Sequence, residues 1–192
     1  PLHVLGFWFF VLLAAREAQG QLAQLGEPGS SWRWLGWVAV PALALWLLRA
    51  PALRRRWPLS TFEAAYLRVA ATPVAVYLLG WLWLGNVVSP GSAAPLPYVP
   101  LLNPLELGQW LVLAALLLWW RAMPRARVDA AMEGLGKALA GLSALALLSG
   151  MVLRACHHWA GVPWSADALY ASWLAQAALS ITWALCGRGP TN

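Results

Sequence analysis

One stretch near the middle of the chain constrains the fold more than any other. Asn103 is a residue type that caps helices, Pro104 suits the first helical position, and Glu106 stands where its carboxylate could reach back to the backbone N–H of the cap. Every residue from Trp110 to Trp120 is apolar. A helix over residues 104–122 would be about 28 Å long, which matches the hydrocarbon thickness of a bilayer. The stretch therefore predicts one complete membrane crossing, and the helix cap alone explains its acidic residue.

Composition extends this interpretation to the rest of the chain. Of the 192 residues, 61% are hydrophobic and 10% are charged, which excludes an ordinary soluble domain. The net charge of +6 comes almost entirely from Arg residues placed in short groups at the ends of apolar runs. That placement is typical of topology signals, so the predicted partner is the lipid bilayer and nucleic-acid binding is not expected.

The apolar runs predict an all-α, polytopic transmembrane helix bundle with about six crossings. Capping boxes are predicted at Ser60–Glu63 and, in the fourth crossing, at Asn103–Glu106, and Ser165 is predicted to open the last helix. Residues 1–186 form the transmembrane region, and residues 187–192 are a tail. The approximate spans are 2–17, 32–48, 63–86, 104–122, 136–155 and 168–186.

The distribution of Arg residues predicts the orientation of the bundle. Seven Arg residues fall in the two loops assigned to the inside, within 49–56 and 121–127, whereas Arg16, Arg33 and Arg154 fall on the outside. The loop over residues 87–102 carries four prolines and no charge. By the positive-inside rule, both termini are expected in the cytoplasm.

The segment from Arg154 to Asp167 contains the weak candidates for catalysis. Arg154 and His158 are four residues apart and could share a helix face, and Asp167 could approach them across the turn at 161–163. A His, a carboxylate and an Arg at a membrane surface could do acid–base chemistry on a lipid-linked substrate. The alternative, which explains these residues better, is structural: Asp167 stabilises a helix N-terminus and the neighbouring Trp residues are interfacial anchors.

Other chemistry is not indicated by the sequence. His157 and His158 are adjacent and point about 100° apart on a helix, so they do not form a metal site together, and no metal or cofactor is predicted. No phosphate loop, nucleophile elbow or paired-cysteine site is present. Arg68 is expected to snorkel to the inner membrane surface. The amides of Asn86 and Gln109 are expected to bond between helices more than to line a path.

Two runs of the sequence resemble a known family. They are PLLNPLELGQWLVLAALLLWWR, from Pro100 to Arg121, and LRACHHWAGVPWSADALYASWLAQAALSITWAL, from Leu153 to Leu185. Together with the opening LHVLGFWFFVLLAAREAQGQL, they are similar to the bacterial predicted membrane proteins grouped as domain of unknown function 2339. The resemblance implies an internal or truncated section of a longer inner-membrane protein with many crossings. The tail CGRGPTN departs from the family pattern, and the family supplies no catalytic residues to transfer.

Two functions of different classes remain open from the sequence. The first is a scaffold or assembly module within a longer multi-spanning protein, where the partners would include further transmembrane helices of that protein. The alternative is a transporter or a membrane enzyme that acts on envelope lipids or glycans. Whether the chain is an enzyme is not decided by its sequence.

Overall fold

The computed structural model describes residues 2–123 and 130–187, and these residues form helices and loops without a β-strand. The expectations about Arg125, Arg127 and the tail beyond Gly187 lie outside the described residues. The elements in chain order are α1 (Leu2–Ala23), α2 (Trp32–Leu47), α3 (Pro51–Arg54), α4 (Leu59–Ala64), a π-helical segment (Ala65–Ala70), α5 (Ala71–Val88), α6 (Pro104–Ala122), α7 (Ala130–Ala160), α8 (Ala166–Ala171) and α9 (Trp173–Gly187). The all-α fold class is confirmed.

Among the described residues, three helices are long and apolar enough to cross a membrane. They are the continuous helix Leu59–Val88, α6 over Pro104–Ala122 and α7 over Ala130–Ala160. A shorter apolar helix, Trp173–Gly187, follows. The predicted count of six crossings and the predicted span limits stay predictions.

Helix α6 begins at the cap that the sequence predicts. The side chain of Asn103 accepts a hydrogen bond from the backbone N–H of Glu106 at 3.1 Å, and Pro104 occupies the first helical position. The cap satisfies one of the N–H groups that a helix leaves free at its start.

The capping box predicted at Ser60–Glu63 is wrong. The helix begins at Leu59, and no side chain caps it. Glu63 forms an ion pair with Arg54 from the preceding turn, so its carboxylate is used for a contact between elements and not for a cap.

The helix that follows is interrupted by the π-helical segment, whose carbonyl groups bond to two other helices. The indole of Trp8 in α1 donates to the carbonyl of Ala70 at 2.9 Å, and the indole of Trp119 in α6 donates to the carbonyl of Leu67 at 3.2 Å. Since a π-helical turn breaks the regular ladder of backbone bonds, these indole groups stabilise carbonyls that it leaves available.

The last predicted helix is present as two helices. Ser165 caps α8 by accepting from the backbone N–H of Ala168 at 3.3 Å, as expected. The helix then breaks at Ser172, whose backbone is extended and whose hydroxyl accepts from the N–H of Ala175 at 3.3 Å. The final stretch is therefore α9 alone, 15 residues long.

The hydrophobic core lies between α2, α5 and α6. Its fully buried side chains include Val38, Leu45, Leu78, Leu82 and Leu105. Helices α7 and α9 lie at the edge of this core, and α9 has a single buried residue, Ala175.

The two ends of the bundle are distinguished by their contacts. At one end, called the loop end, residues 24–31 and 89–103 meet through backbone bonds from Glu27 to Ala94 and from Ser31 to Ser92. At the other end, called the arginine end, His3 stacks on Phe62 at 4.4 Å. Helix α1 therefore runs from one end of the bundle to the other.

Candidate functional site

A buried polar network at the loop end joins the candidate residue Arg154 to three other parts of the chain. The side chain of Arg154 comes from α7 and is fully buried. Its guanidinium donates to the carboxylate Oε1 of Glu106 at 3.4 Å, to the carbonyl oxygens of Ser89 and Asn86 at 3.3 Å each, and to the side-chain Oδ1 of Asn86 at 2.9 Å. The ring of Trp164 lies 5.9 Å from its Cζ atom. The guanidinium is thus surrounded by groups that suit a buried cation.

Glu106 is the counter-ion, and it is also fully buried. One carboxylate oxygen accepts from the backbone N–H of Leu101 at 2.6 Å, and the other accepts from the hydroxyl of Tyr98 at 2.8 Å and from Arg154. The interpretation that the cap alone explains Glu106 is therefore wrong. Its backbone N–H takes part in the cap, whereas its carboxylate neutralises Arg154.

The backbone of the loop over residues 89–103 is shaped to make these contacts. Leu101 has a φ of 70°, a conformation that costs free energy for any residue other than Gly, and its N–H points to Glu106. Gly91 has a φ of 74°, and a Cβ atom there would lie 2.7 Å from Cδ of Arg154. The loop therefore packs directly on the guanidinium.

Two amide side chains extend the network toward the middle of the bundle. Asn86 donates from its Nδ2 to the carbonyl of Ala146 in α7 at 2.8 Å, and its Oδ1 accepts from Gln109 at 3.4 Å. A Cβ atom at Gly150 would overlap with Asn86, so α7 approaches α5 through a residue without a side chain. The expectation that Asn86 and Gln109 bond between helices agrees with these contacts.

The candidate His158 borders the network through Tyr98. Its ring stacks on that of Tyr98, with centroids 4.4 Å apart and an interplanar angle of 13°, and its Nε2 lies 2.8 Å from the carbonyl of Pro90. His157 makes the matching contact from Nδ1 to the carbonyl of Val162 at 2.6 Å. Because a carbonyl only accepts hydrogen bonds, each of these ring nitrogens must carry a proton.

Tyr98 acts as a neutral hydrogen-bond donor in this arrangement. Burial raises the pKa of Tyr98 well above its ordinary value, and the adjacent carboxylate of Glu106 raises it further. The phenol therefore keeps its proton and donates a hydrogen bond to Glu106.

Asp167 lies outside the network. It is exposed, in the first turn of α8, and Arg154 forms its ion pair with Glu106. Arg154 and His158 thus both lie next to the Tyr98–Glu106 pair, whereas Asp167 is not part of this group. The catalytic assignment of Arg154, His158 and Asp167 stays a prediction. Within the described ranges, no group of three or more His, Cys, Asp or Glu side chains is placed to hold a metal ion.

A groove of about 690 Å³ opens beside the network, between α5, α7 and the last two helices. Its wall is mostly apolar, and it is also lined by Asn86, Ser149 and Ser165, which have polar side chains. Asn86 and Trp164, which both contact Arg154, line this groove, whereas Arg154 and Glu106 do not.

A family comparison accounts for almost the entire chain. The family model described as "Predicted membrane protein (DUF2339)" matches residues 1–189. The chain belongs to this family. Its place is the membrane, as the description of the family says and as the long apolar helices indicate. No curated protein and no solved structure matches the chain.

The residues that sequence reasoning missed are the partners of Arg154. Tyr98 and Ser89 lie in a loop read only as uncharged and rich in proline, and Glu106 was assigned to a cap. One signal was available for Glu106 and Arg154: two opposite charges, each beside a long apolar run, are costly in a bilayer unless they are paired.

Proposed function

We propose that this chain is a scaffold or assembly module within a longer multi-spanning protein of the bacterial inner membrane, with both termini in the cytoplasm. The observation that supports it is the state of Arg154 and Glu106. Both side chains are fully buried, and their polar atoms are bonded to protein groups. Acid–base catalysis needs a titratable group within hydrogen-bond reach of the substrate, and this buried ion pair offers no such group.

The network also joins elements that would otherwise be held only by packing. It links α5, the loop over residues 89–103, α6 and α7 through one guanidinium and one carboxylate. In lipid, helices gain little from burying apolar surface against one another, so polar bonds between them contribute to a defined arrangement. A fixed arrangement is what a module needs if other helices are to assemble on it.

The uncovered faces of the last helices support the proposed partners. Tyr170 is 82% exposed, Trp173 is 80% exposed and Ile181 is 61% exposed. On α7, a Cβ atom at Gly134 or Gly141 would meet no described atom within 4 Å. Such apolar surfaces fit lipid chains and further transmembrane helices of the same longer protein.

The proposal is tested by measuring the abundance and assembly of variants separately from any change in envelope chemistry. In the full-length protein, the variants Arg154→Gln, His158→Phe and Asp167→Asn are each expressed from the native locus. We expect Arg154→Gln to lower abundance several-fold, because it leaves Glu106 buried without its cation. Asp167→Asn, at an exposed position, serves as the control and should keep the normal abundance. Quantitative immunoblotting measures abundance, and native gel electrophoresis measures assembly size.

The same strains show whether chemistry is lost. Mass spectrometry of envelope lipids and glycans should give the same composition in each strain in which the variant reaches normal abundance. If the His158→Phe or Asp167→Asn strain has an altered lipid or glycan composition at normal abundance and assembly size, the proposed scaffold function is contradicted.

The groove beside Asn86 favours a second candidate function, a transporter or a membrane enzyme acting on envelope lipids or glycans. Its volume of about 690 Å³ and its apolar wall suit an acyl or isoprenoid chain. The substitution Ala166→Phe places a large side chain at an exposed edge of the groove. Under this alternative it should change the envelope composition, whereas a scaffold should tolerate it without such a change.

A further inference from the structure

A second polar pocket lies at the arginine end, away from the network around Arg154. Its volume is about 290 Å³, and it is lined by the start of α4, the π-helical segment and the end of α6. Arg68, Ser60, Thr61 and Glu63 are its polar side chains. Arg68 is half-buried, and among the described residues nothing forms a hydrogen bond or an ion pair with its guanidinium. A pocket with an unpaired cation in a membrane protein calls for an anionic ligand.

The backbone that carries Arg68 is held in an unusual conformation by other helices. Arg68 lies within the π-helical segment Ala65–Ala70, which places its side chain differently from a regular helix. The indole bonds from Trp8 and Trp119 to carbonyls of this segment fix it from two sides. Trp119 also lines the pocket. The backbone position from which the Arg68 side chain enters the pocket is therefore fixed by contacts with α1 and α6.

The depth of the pocket matches the level of lipid phosphates. The helix from Leu59 to Val88 has 30 residues, but Phe62 has non-helical torsion angles (φ −120°, ψ 31°), so its straight part begins after Phe62. At about 1.5 Å per residue, residues 63–88 span about 39 Å, roughly 9 Å more than the hydrocarbon core of a bilayer. Arg68 lies about 8 Å along this part from residue 63, by the same rise per residue. With the excess length at the arginine end, Arg68 stands at the boundary between hydrocarbon and headgroups.

We propose that this pocket binds the phosphate of an anionic phospholipid from the leaflet at the arginine end. The guanidinium of Arg68 offers paired N–H donors that suit a phosphate, and the hydroxyls of Ser60 and Thr61 are further donors at the rim. The one anionic group in the pocket, Glu63, is already neutralised by its ion pair with Arg54. The acyl chains would lie along the apolar side chains of Leu67 and Ala122, which also line the pocket.

Native mass spectrometry of the detergent-purified full-length protein, titrated with phosphatidylglycerol, tests the proposal. We expect Arg68→Gln to weaken the tightest phosphatidylglycerol adduct about tenfold, the loss of one charge-assisted contact. Arg68→Lys should recover part of the affinity. The matched control is Arg121→Gln, which removes an exposed charge from the last turn of α6 at the same end of the bundle and should change the affinity less than twofold.

Three outcomes would overturn the proposal. The first is equal affinity of the Arg68→Gln variant and the wild type. The second is an equal loss in the Arg121→Gln variant, since general charge at this end would then explain binding. The third is displacement of the lipid by millimolar inorganic phosphate, which would show a site for free phosphate. A thermal melt of each variant separates misfolding from lost binding, and a Gln variant that is unfolded is replaced by Arg68→Met.

Discussion

The ion pair between Arg154 and Glu106 is the residue-scale feature with the largest energetic consequence. Each member is fully buried, and the distance between Nη1 and Oε1 is 3.4 Å. Removal of one partner from a buried pair leaves an uncompensated charge, which typically costs 3–5 kcal/mol, or about a third or more of the stability of many domains. Removal of both charges costs much less, because neither is left alone.

This difference leads to a double-mutant prediction. We expect Glu106→Gln and Arg154→Gln each to lower the free energy of unfolding by about 3–5 kcal/mol, and the double variant to lower it by less than either single change. Reversible unfolding of the protein in mixed micelles measures all four forms. The control is Lys137→Gln, which breaks the exposed pair with Glu133 and should cost less than about 0.5 kcal/mol. Additive losses in the double variant would show that the two residues are not coupled.

The limits of sequence reasoning are clear at these residues. The bond from Glu106 N–H to Asn103 is local, so three neighbouring residue types were enough to predict it. The partner of the carboxylate lies 48 positions away on another helix, and only the packing of α6 against α7 brings it near. The cap explains the backbone N–H of Glu106 but leaves out the contact of its carboxylate with Arg154.

At the scale of elements, the helices were predictable and their irregular parts were not. In lipid, the backbone N–H and C=O groups of a single apolar segment are satisfied when the segment is a helix. The long apolar runs therefore predict α6 and α7. The π-helical segment, the break at Ser172 and the fold of the loop over residues 89–103 depend on contacts between elements. Trp119 illustrates this, because it closes an apolar run in the sequence whereas its indole donates to the carbonyl of Leu67 on another helix.

The loop over residues 89–103 allows a prediction with a matched control. Gly91 and Gly29 both have positive φ, of 74° and 90°, but a Cβ atom at Gly91 would press on Arg154 whereas one at Gly29 would meet nothing within 4 Å. We expect Gly29→Ala to cost about 1–2 kcal/mol from backbone strain alone. Gly91→Ala should cost at least about 1 kcal/mol more, because it also displaces the guanidinium. Equal losses in the micelle assay would mean that the loop does not hold Arg154.

For the whole molecule, the contacts at the two ends support more crossings than the three longest helices alone. Helix α1 begins beside Phe62 at the arginine end, and the loop that follows it bonds to Ala94 at the loop end. Helix α2 starts at the loop end, where the indole of Trp32 donates to the carbonyl of Ala93 at 3.3 Å. Helix α1 therefore joins the same two ends as the helix Leu59–Val88, and α2 starts back from the loop end. These contacts agree with the first two predicted crossings. The count of six stays a prediction, which accessibility to a label can test.

We expect cysteines at the two ends to react from opposite sides of the membrane. In a background with Cys156→Ala and Cys186→Ser, the exposed positions Leu25 and Leu96 report on the loop end, and Trp57 reports on the arginine end. Leu25→Cys and Leu96→Cys should react with a membrane-impermeant maleimide in intact spheroplasts, whereas Trp57→Cys should react only after permeabilisation, as the Arg distribution predicts. The native Cys186, free and exposed, should behave like Trp57→Cys if α7 and α9 both cross. Reaction of Trp57→Cys and Leu96→Cys from the same side would show that the helix Leu59–Val88 does not span, and reaction of Cys186 from outside would reduce the count by one.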